Sequence, residues 1–380
     1  MHVLIAPNAF KNSLSAADAA LAIADGLSAS RFAGTWSLFP VGDGGDGTAE
    51  LLLRHLGGGR VSALAHDPLG REIDCQFAVL EGGRCAVIEL AEASGLRRMQ
   101  VHELDPLRAT SRGTGELVKC ALDRGVREII LCVGGSATVD GGTGLLQAMG
   151  VRFLDALGAT IEILPEQLTR LAQIEMSHVD RRLAECELTV LCDVANPLVG
   201  PRGAAAIFGP QKGATPAAVC ALEAGLARFG EVVRRHTGTD IAGAAGGGAA
   251  GGAAAGLHGL LEAELVGGID YVLRRIGFDA ALAGADLVIT GEGAIDEQTI
   301  EGKAPWGVAL RARARGARVV GLAGSVPLAA SPELRGGFDA LLPIGNGVMT
   351  LADALERTAD NLRRTACELG NLLALGAGNS

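Results

Sequence analysis

The chain has 380 residues, long enough for two domains that each bury a core. Apolar residues make up 48% of it and charged residues 20%, which is the composition of a folded protein and excludes a disordered one. A net charge of -10 without a basic cluster, together with 3% aromatic residues, excludes a duplex-binding stripe and the stacking platforms of a single-strand binder, so we expect no nucleic-acid partner.

The first 60 residues predict a β-α-β unit. A short buried strand covers 3–6, and Ser15 is placed to cap a helix over about 16–28. A second strand, 37–41, runs into a turn rich in glycine and aspartate, and a helix over 48–56 follows. Strand, turn and helix in this order are typical of a parallel sheet whose ligands bind at the carboxyl ends of the strands.

The pattern changes after residue 60. Three closely spaced strands separated by turn signals predict antiparallel pairing, at 61–65, 73–79 and 85–90. The elements predicted next are a helix near 115–124, a strand at 129–133, a helix from about 143, a strand at 189–192 and a helix over 216–236 that begins with proline.

Residues 242–256 consist only of alanine and glycine. The tract lacks the large aliphatic side chains of a membrane span, and the N-terminal apolar stretch is too short for a signal peptide, so we expect no membrane contact. Three interpretations of the tract stay open: a flexible linker, helix packing that requires small residues, or a backbone that passes under a nucleotide. The eight cysteines form no C-x-x-C pair and most lie in apolar runs, which indicates reduced thiols and a cytoplasmic protein.

Beyond this tract the alternation of strand and helix returns. The predicted elements are a strand at 287–290, a helix at 307–315, strands at 319–323 and 340–344, and a helix at 351–375. These buried strands resemble the first two. We therefore expect an α/β fold of two α/β domains: a discontinuous Rossmann- or flavodoxin-like parallel sheet built from 1–62 and 282–380, and an inserted mixed α/β domain at 63–281.

Glycine accounts for 56 of the 380 residues, roughly twice the usual share. Six turn segments border predicted strands, at 43–48, 110–116, 134–138, 193–197, 209–213 and 291–293, and all of them except 193–197 contain glycine. Free N–H groups at helix starts bind anions, and glycine lets phosphate oxygens approach the backbone. One such segment is equally well a plain turn, but six on one chain indicate a phosphate ligand.

Several familiar catalytic and nucleotide-binding motifs are absent from the sequence. There is no G-x-x-x-x-G-K-[ST], no H-R-D or D-F-G, no G-x-S-x-G and no H-E-x-x-H, and the segment 291–296 lacks the third glycine of the dinucleotide fingerprint. Carboxylates and lysines in the turns remain: Asp43, Asp46, Asp193, Glu292, Asp296, Lys11, Lys212 and Lys303. Phosphoryl transfer needs such groups, with lysines on the phosphates, carboxylates on Mg²⁺ and an aspartate to accept the hydroxyl proton. Each residue alone is equally explained as a solvated charge or a helix cap, but the set favours phosphoryl transfer.

Eight motifs in this order resemble the bacterial type-1 glycerate kinases, over about residues 3–375. They are 5–11, 43–48, 110–116, 134–142, 192–198, 208–213, 291–296 and 302–303. The resemblance implies two α/β domains with a cleft between them, and an enzyme that uses ATP and Mg²⁺ to phosphorylate D-glycerate to 2-phosphoglycerate. Its partners would be glycerate and ATP, and whether it forms a homodimer stays open.

In that family an aspartate matching Asp193 is the proposed catalytic base. The other roles follow from residue chemistry: Lys11 and Lys212 as further catalytic residues; Asp43, Asp46, Ser111 and Arg112 for the substrate; Gly134, Gly135, Ser136, Thr138, Gly291, Glu292, Gly293 and Lys303 for the nucleotide; Asp296 and Asp193 for the metal. Arg112 suits the substrate carboxylate because a planar guanidinium forms two parallel hydrogen bonds.

Three positions depart from the family pattern. Asn8 replaces a frequent aspartate, Ala294 replaces an arginine, and Asp46 replaces a glutamate. The first two substitutions leave two alternatives open: a kinase of the same architecture for another small hydroxy acid, such as a four-carbon aldonate, or a non-catalytic nucleotide or metabolite sensor.

Overall fold

The computed structural model describes residues 1–162 and 164–377. Its strands are β1 (His2–Ile5), β2 (Thr35–Leu38), β3 (Gly59–His66), β4 (Glu72–Leu80), β5 (Cys85–Glu89), β6 (Glu128–Cys132), β7 (Arg152–Leu154), β8 (Gln173–Glu175), β9 (Glu187–Cys192), β10 (Glu264–Gly267), β11 (Leu287–Ala294), β12 (Arg318–Ser325) and β13 (Ala340–Pro343). Its helices are α1 (Ala16–Ala29), α2 (Thr48–Leu56), α3 (Ala91–Ser94), α4 (Arg112–Asp123), α5 (Thr143–Ala148), α6 (Leu164–Gln167), α7 (Ala204–Phe208), α8 (Pro216–Thr237), α9 (Ala253–Leu261), α10 (Gly268–Arg275), α11 (Phe278–Ala281), α12 (Ala304–Ala314), α13 (Pro332–Gly337), α14 (Leu351–Glu356) and α15 (Thr358–Ala377).

These elements form two compact units: residues 1–43 with the chain from 269 onward, and residues 44–268. The sheet of the first unit is parallel throughout, in the order β13-β12-β11-β1-β2. β1 pairs directly with β11, so the two ends of the chain share one sheet, and the predicted discontinuous sheet is confirmed. α1 and α15 pack against each other beside it, and Ile23, Leu27 and Leu362 lie in its core.

The division between the units falls at 43/44 and 268/269, earlier at both points than the expected limits of 62/63 and 281/282. At the first point, α2 packs on β4 and β5, and β3 pairs with β4, so this stretch joins the inserted unit. At the second, Ile269 fills the space beside Gly307 and Asp270 pairs with Arg311 at 3.1 Å, which joins α10 to the first unit.

The second unit contains a mixed sheet in the order β10-β9-β6-β5-β4-β3. β3, β4 and β5 pair antiparallel as predicted, while β5, β6, β9 and β10 are parallel. The turns that follow these four parallel strands therefore share one edge of the sheet. Phe153 and Phe229 meet in the core with ring centroids 6.1 Å apart. The α/β fold class is confirmed.

The Ala-Gly tract packs closely against the rest of the second unit. Gly141 N donates to Gly251 O at 3.0 Å. A side chain on Gly251 would collide with the carbonyl of Thr138, and one on Gly256 with the carbonyl of Gly141. Close packing of small residues is therefore the correct interpretation, and the tract is not a linker. In the described part of the chain no helix has the length and apolar character needed to cross a bilayer.

Candidate active site

In the second unit, turns after neighbouring parallel strands hold many of the predicted site residues. β6 and β9 lie side by side, with Cys132 in register with Leu191. Asp193 follows β9 directly, and the glycine-bearing turn 133–138 follows β6. The half-buried Asp193 and the glycine-bearing turn 133–138 therefore follow neighbouring strands at the same edge of the sheet.

The turn 44–47 packs against both of these segments. A Cβ built on Gly134 would lie 3.0 Å from Gly45 Cα, and one built on Gly44 would lie 3.3 Å from Asp193 Oδ1. Gly44 also has a φ of 95°, a conformation that side-chain-bearing residues rarely adopt. Glycine is thus required for this turn to approach Asp193.

The carboxylate of Asp46, in this turn, lies close to the backbone of Gly135. A Cβ built on Gly135 would lie 3.1 Å from Asp46 Oδ1 and 3.2 Å from Oδ2. Gly135 has a φ of 70°, and its carbonyl accepts from Leu96 N at 2.9 Å. The structure therefore brings Asp46, a residue predicted to bind the substrate, together with Gly134 and Gly135, which are predicted to bind the nucleotide.

Lys212 is buried beneath the 133–138 turn. Its Nζ donates to Ser136 Oγ and to Thr138 O, both at 2.7 Å, and only 2% of the residue is exposed. Burial lowers the pKa of Lys212 to about 7, while the nearby negative charge of Asp140 opposes this shift. Ser136 and Thr138 are buried as well, so their side chains face the protein interior.

Asp140 organises the start of two helices. Its fully buried carboxylate accepts from Ser111 N at 2.9 Å and from Ser111 Oγ at 2.7 Å, at the start of α4. It also accepts from Gly142 N at 3.0 Å and Gly144 N at 3.2 Å, at the start of α5. These N–H groups are the ones that a phosphate would need, and here an internal carboxylate occupies them. Ser111, expected at the substrate, holds Asp140 instead.

Arg112 lies on the surface of the second unit at the first position of α4. Its Nε donates to Glu116 Oε1 at 3.1 Å, and the guanidinium is about half exposed. Glu116 also binds the His66 ring at 2.9 Å and accepts from His66 N at 2.9 Å. The guanidinium is therefore oriented by a carboxylate that it shares with His66.

In the first unit, residues 291–293 continue β11 and do not form the turn expected from the sequence. Gly291 pairs with Leu322 and Glu292 with Ala323 of β12. A side chain on Gly291 would collide with the carbonyl of Leu322, so glycine allows the two strands to approach closely.

Glu292 is the buried acid of this first-unit group. Its Oε1 accepts from Thr299 Oγ1 at 3.3 Å and lies 3.8 Å from Lys303 Nζ, which is also 3.7 Å from Asp296 Oδ1. Burial raises the pKa of Glu292 to about 7; the charge of Lys303 opposes the shift and that of Asp43 adds to it.

Asn8 and Lys11 extend the same group. Asn8 N donates to Gly291 O at 2.9 Å, and Asn8 Nδ2 donates to Asp43 Oδ2 at 3.0 Å. Asn8 thus places an amide against the carboxylate of Asp43. Lys11 is exposed, and its backbone N would lie 4.0 Å from a Cβ built on Gly293.

The predicted site residues therefore fall into two groups. Lys11, Asp43, Gly291, Glu292, Gly293, Asp296 and Lys303 belong to the first unit, and Asp46, Ser111, Arg112, Gly134, Gly135, Ser136, Thr138, Asp193 and Lys212 to the second. Among the described residues no set of three or more His, Cys, Asp or Glu side chains is arranged to hold a metal ion. Mg²⁺ bound to a nucleotide needs only one or two protein carboxylates besides phosphate oxygens, so separate carboxylates fit that ion.

A comparison with known proteins decides the family. The model of the glycerate kinase family matches residues 3–374. The chain belongs to this family. A glycerate kinase from Bacillus subtilis is 42% identical to this chain, and the similarity covers 99% of this chain and 98% of that protein. A glycerate 2-kinase from Escherichia coli is 40% identical, with complete coverage of both chains.

A solved structure agrees with this assignment. The crystal structure of a protein named glycerate kinase 2 from Salmonella typhimurium LT2 is similar to this chain, with a TM-score of 0.86 and 43% identity. The similarity covers 100% of this chain and 99% of that one. As a member of the glycerate kinase family, this protein is a kinase.

Two buried acidic residues beside the predicted site residues were not assigned a role from the sequence. Asp140 lies in an Asp-Gly-Gly motif, which was a usable signal, because a carboxylate before two glycines often binds nearby backbone N–H groups. Glu89 ends β5, and its Oε1 accepts from Gly47 N and Ala49 N, each at 2.9 Å. No local motif marks Glu89, because its partners are about 40 residues away along the chain.

Proposed function

We propose that this member of the glycerate kinase family transfers the γ-phosphoryl group of Mg-ATP to the 2-hydroxyl of D-glycerate, giving 2-phosphoglycerate and ADP. The observation that carries the proposal is the position of Asp193, directly after β9 and beside the glycine-rich turn that follows β6. The names of the Bacillus subtilis and Escherichia coli relatives support glycerate as the substrate, and the second supports the 2-hydroxyl.

Asp193 is the proposed base. As the hydroxyl oxygen bonds to the γ-phosphorus, the bond from phosphorus to the bridging oxygen of ADP breaks, and the hydroxyl proton passes to the Asp193 carboxylate. An aspartate serves this purpose because the transition state is loose and the proton leaves late. The turn 44–47 beside Asp193 restricts the direction from which a hydroxyl approaches it.

On the substrate side, Arg112 is proposed to bind the carboxylate of glycerate. Its guanidinium is exposed, and the bond to Glu116 fixes one edge while leaving N–H groups available for a second carboxylate. Asp46 and Asp43 are proposed to accept from substrate hydroxyls. Ser111 contributes through Asp140, which it holds in place.

On the nucleotide side, the backbone of Gly134 and Gly135 is proposed to approach the phosphates. Lys212 acts through Ser136 and Thr138, which it holds from beneath. In the first unit, the proposed nucleotide-binding residues are Gly291, Glu292, Gly293 and Lys303, with Lys11 adding positive charge. Asp193 and Asp296 are the carboxylates proposed to bind Mg²⁺, which would neutralise charge on the phosphate oxygens.

A substrate panel tests the function. ADP release is measured with ATP and D-glycerate, L-glycerate, a four-carbon aldonate or no acceptor. We expect kcat/KM for D-glycerate to exceed that for the other acceptors by about tenfold or more, because a site built on hydrogen bonds rejects a misplaced hydroxyl. A preference for the aldonate would indicate the kinase for another hydroxy acid. ADP release that no acceptor stimulates would indicate the sensor.

A further inference from the structure

Glu89 joins the carboxyl end of β5 to the turn that carries Asp46. Its Oε1 accepts from both Gly47 N and Ala49 N at 2.9 Å, and the residue is 7% exposed. One carboxylate oxygen thus binds the backbone on both sides of Thr48, the first residue of α2.

Helix α2 requires such a partner because its own N-cap provides none. The N-cap is Gly47, which has no side chain and adopts a φ of 91°. The first N–H groups of a helix need acceptors, and a side chain from the cap residue normally supplies one. Glu89 replaces that missing cap from a different element, and its negative charge also suits the positive end of the helix dipole.

The 44–47 turn, to which Glu89 is bound, also contacts the proposed base Asp193 and the glycine-bearing turn 133–138. Gly44 approaches Asp193, Gly45 approaches Gly134, and the Asp46 carboxylate lies on Gly135. A turn with two residues in the left-handed region, Gly44 and Gly47, has little conformational preference of its own. The hydrogen bonds to Glu89 therefore help to fix the position of Asp46.

The charges around Glu89 argue against a role in stability alone. Burial raises the pKa of Glu89, and the negative charge of Asp46 adds to that rise. The pKa of the neighbouring Cys132 thiol is raised well above its usual value by burial and by the charges of Glu89, Asp193 and Asp46. Burying the Glu89 carboxylate close to a second carboxylate costs folding free energy, which a cap exposed to water would not cost.

We propose that Glu89 is a positioning residue, which holds the 44–47 turn and thereby keeps the Asp46 carboxylate against Gly135 for substrate binding. This role rests on the proposed function for one point, namely that Asp46 contacts the substrate. The hold of Glu89 on the turn follows from the hydrogen bonds alone.

The test combines a double-mutant cycle with amide hydrogen exchange. Glu89→Ala is expected to lower kcat/KM for D-glycerate by about 10- to 100-fold, mainly through KM, because a substrate-binding group displaced by about 1 Å costs up to that much. If Glu89 acts through Asp46, adding Glu89→Ala to Asp46→Asn should lower kcat/KM for D-glycerate by no more than about a further threefold. Glu89→Gln keeps an acceptor oxygen and should recover most of the activity.

The structural arm does not depend on activity. In Glu89→Ala, amide exchange should accelerate in residues 44–50 and stay unchanged in α4 and α8. Glu50→Gln is the matched control, since Glu50 is an exposed carboxylate in the first turn of the same helix and pairs with Arg60; it should change neither measurement.

The outcomes separate the two proposals. Suppose that exchange is faster in Glu89→Ala but that wild type does not phosphorylate glycerate. This result would contradict the proposed function and would still support the role of Glu89 in holding the 44–47 turn. Effects of Glu89→Ala and Asp46→Asn that simply multiply, or unchanged exchange at 44–50, would overturn the positioning role.

Discussion

The two units place their buried charges in different surroundings. In the second unit, Lys212 Nζ forms two hydrogen bonds of 2.7 Å, and Asp140 accepts from the backbone of two helix starts. In the first unit, Lys303 lies 3.7 to 3.8 Å from Asp296 and Glu292, too far for a direct hydrogen bond, and a third of its side chain is exposed. The second unit therefore fixes its turns in advance, while the first holds charges that are still available to a ligand.

The largest expected effect concerns Asp193, the proposed base of the second unit. Asp193→Asn keeps the shape and removes the proton acceptor, so we expect kcat to fall by about 10²- to 10⁴-fold. The affinity for ATP in the absence of Mg²⁺, measured by titration calorimetry, should stay close to that of wild type. A turnover equal to that of wild type would remove Asp193 from the mechanism.

The buried lysine of the second unit predicts a stability that rises with pH. The pKa of Lys212 is about 7 in the folded protein, against 10.5 when unfolded, so the unfolded state binds more protons between these values. Relative to Lys212→Met, wild type should gain on the order of 3 kcal/mol of unfolding free energy between pH 7 and about pH 9.5. Urea denaturation at both pH values measures this difference.

Lys119→Met removes an exposed lysine of α4 and serves as the matched control. Its stability relative to wild type should not change over this range. If the difference between wild type and Lys212→Met were also constant, Lys212 would not be the desolvated group that the structure shows.

The buried acid of the first unit predicts the opposite slope. The pKa of Glu292 is about 7 in the folded protein, against 4.5 when unfolded, so the folded state binds more protons between these values. Wild type should therefore lose stability as pH rises from 4.5 to 7, whereas Glu292→Gln should lose less. Thermal denaturation across this range, with the exposed Glu301→Gln as control, checks the sign. Parallel curves for wild type and Glu292→Gln would contradict it.

The smallest effect is expected at the exposed Arg112. Arg112→Lys keeps the charge but removes the planar fork, so KM for glycerate should rise by about tenfold with kcat little changed. Arg108→Lys, at another exposed arginine of the same unit, is the control. An unaltered KM in Arg112→Lys would exclude the guanidinium from carboxylate binding.

The sequence predicts the fold well where the signals are local. Ser15 caps α1 as expected, and Thr215 and Pro216 start α8. The final helix is one exception, because it is interrupted at Arg357, between α14 and α15. At this interruption the Thr358 hydroxyl donates to the carbonyls of Ala354 and Leu355, each at 3.0 Å, in the last turn of α14.

The site is less predictable, because its decisive contacts join distant parts of the chain. Motifs identify Lys212 and Ser136 separately, but not that one binds the other across 76 positions. The partners of Glu89 lie about 40 residues away, and a single glutamate at a strand end carries no signal of its own. Tertiary pairing, which no local pattern encodes, decides which turns are held and which charges remain available.

The position of the phosphate in the product tests the central claim most directly. Purified protein is incubated with ATP, Mg²⁺ and D-glycerate, and the product is examined by proton-coupled phosphorus NMR. Phosphate on the 2-hydroxyl gives a doublet, because the carbon that bears the ester carries a single proton, and we expect this signal. A triplet from phosphate on the terminal CH₂ group, or no ester signal at all, would contradict it.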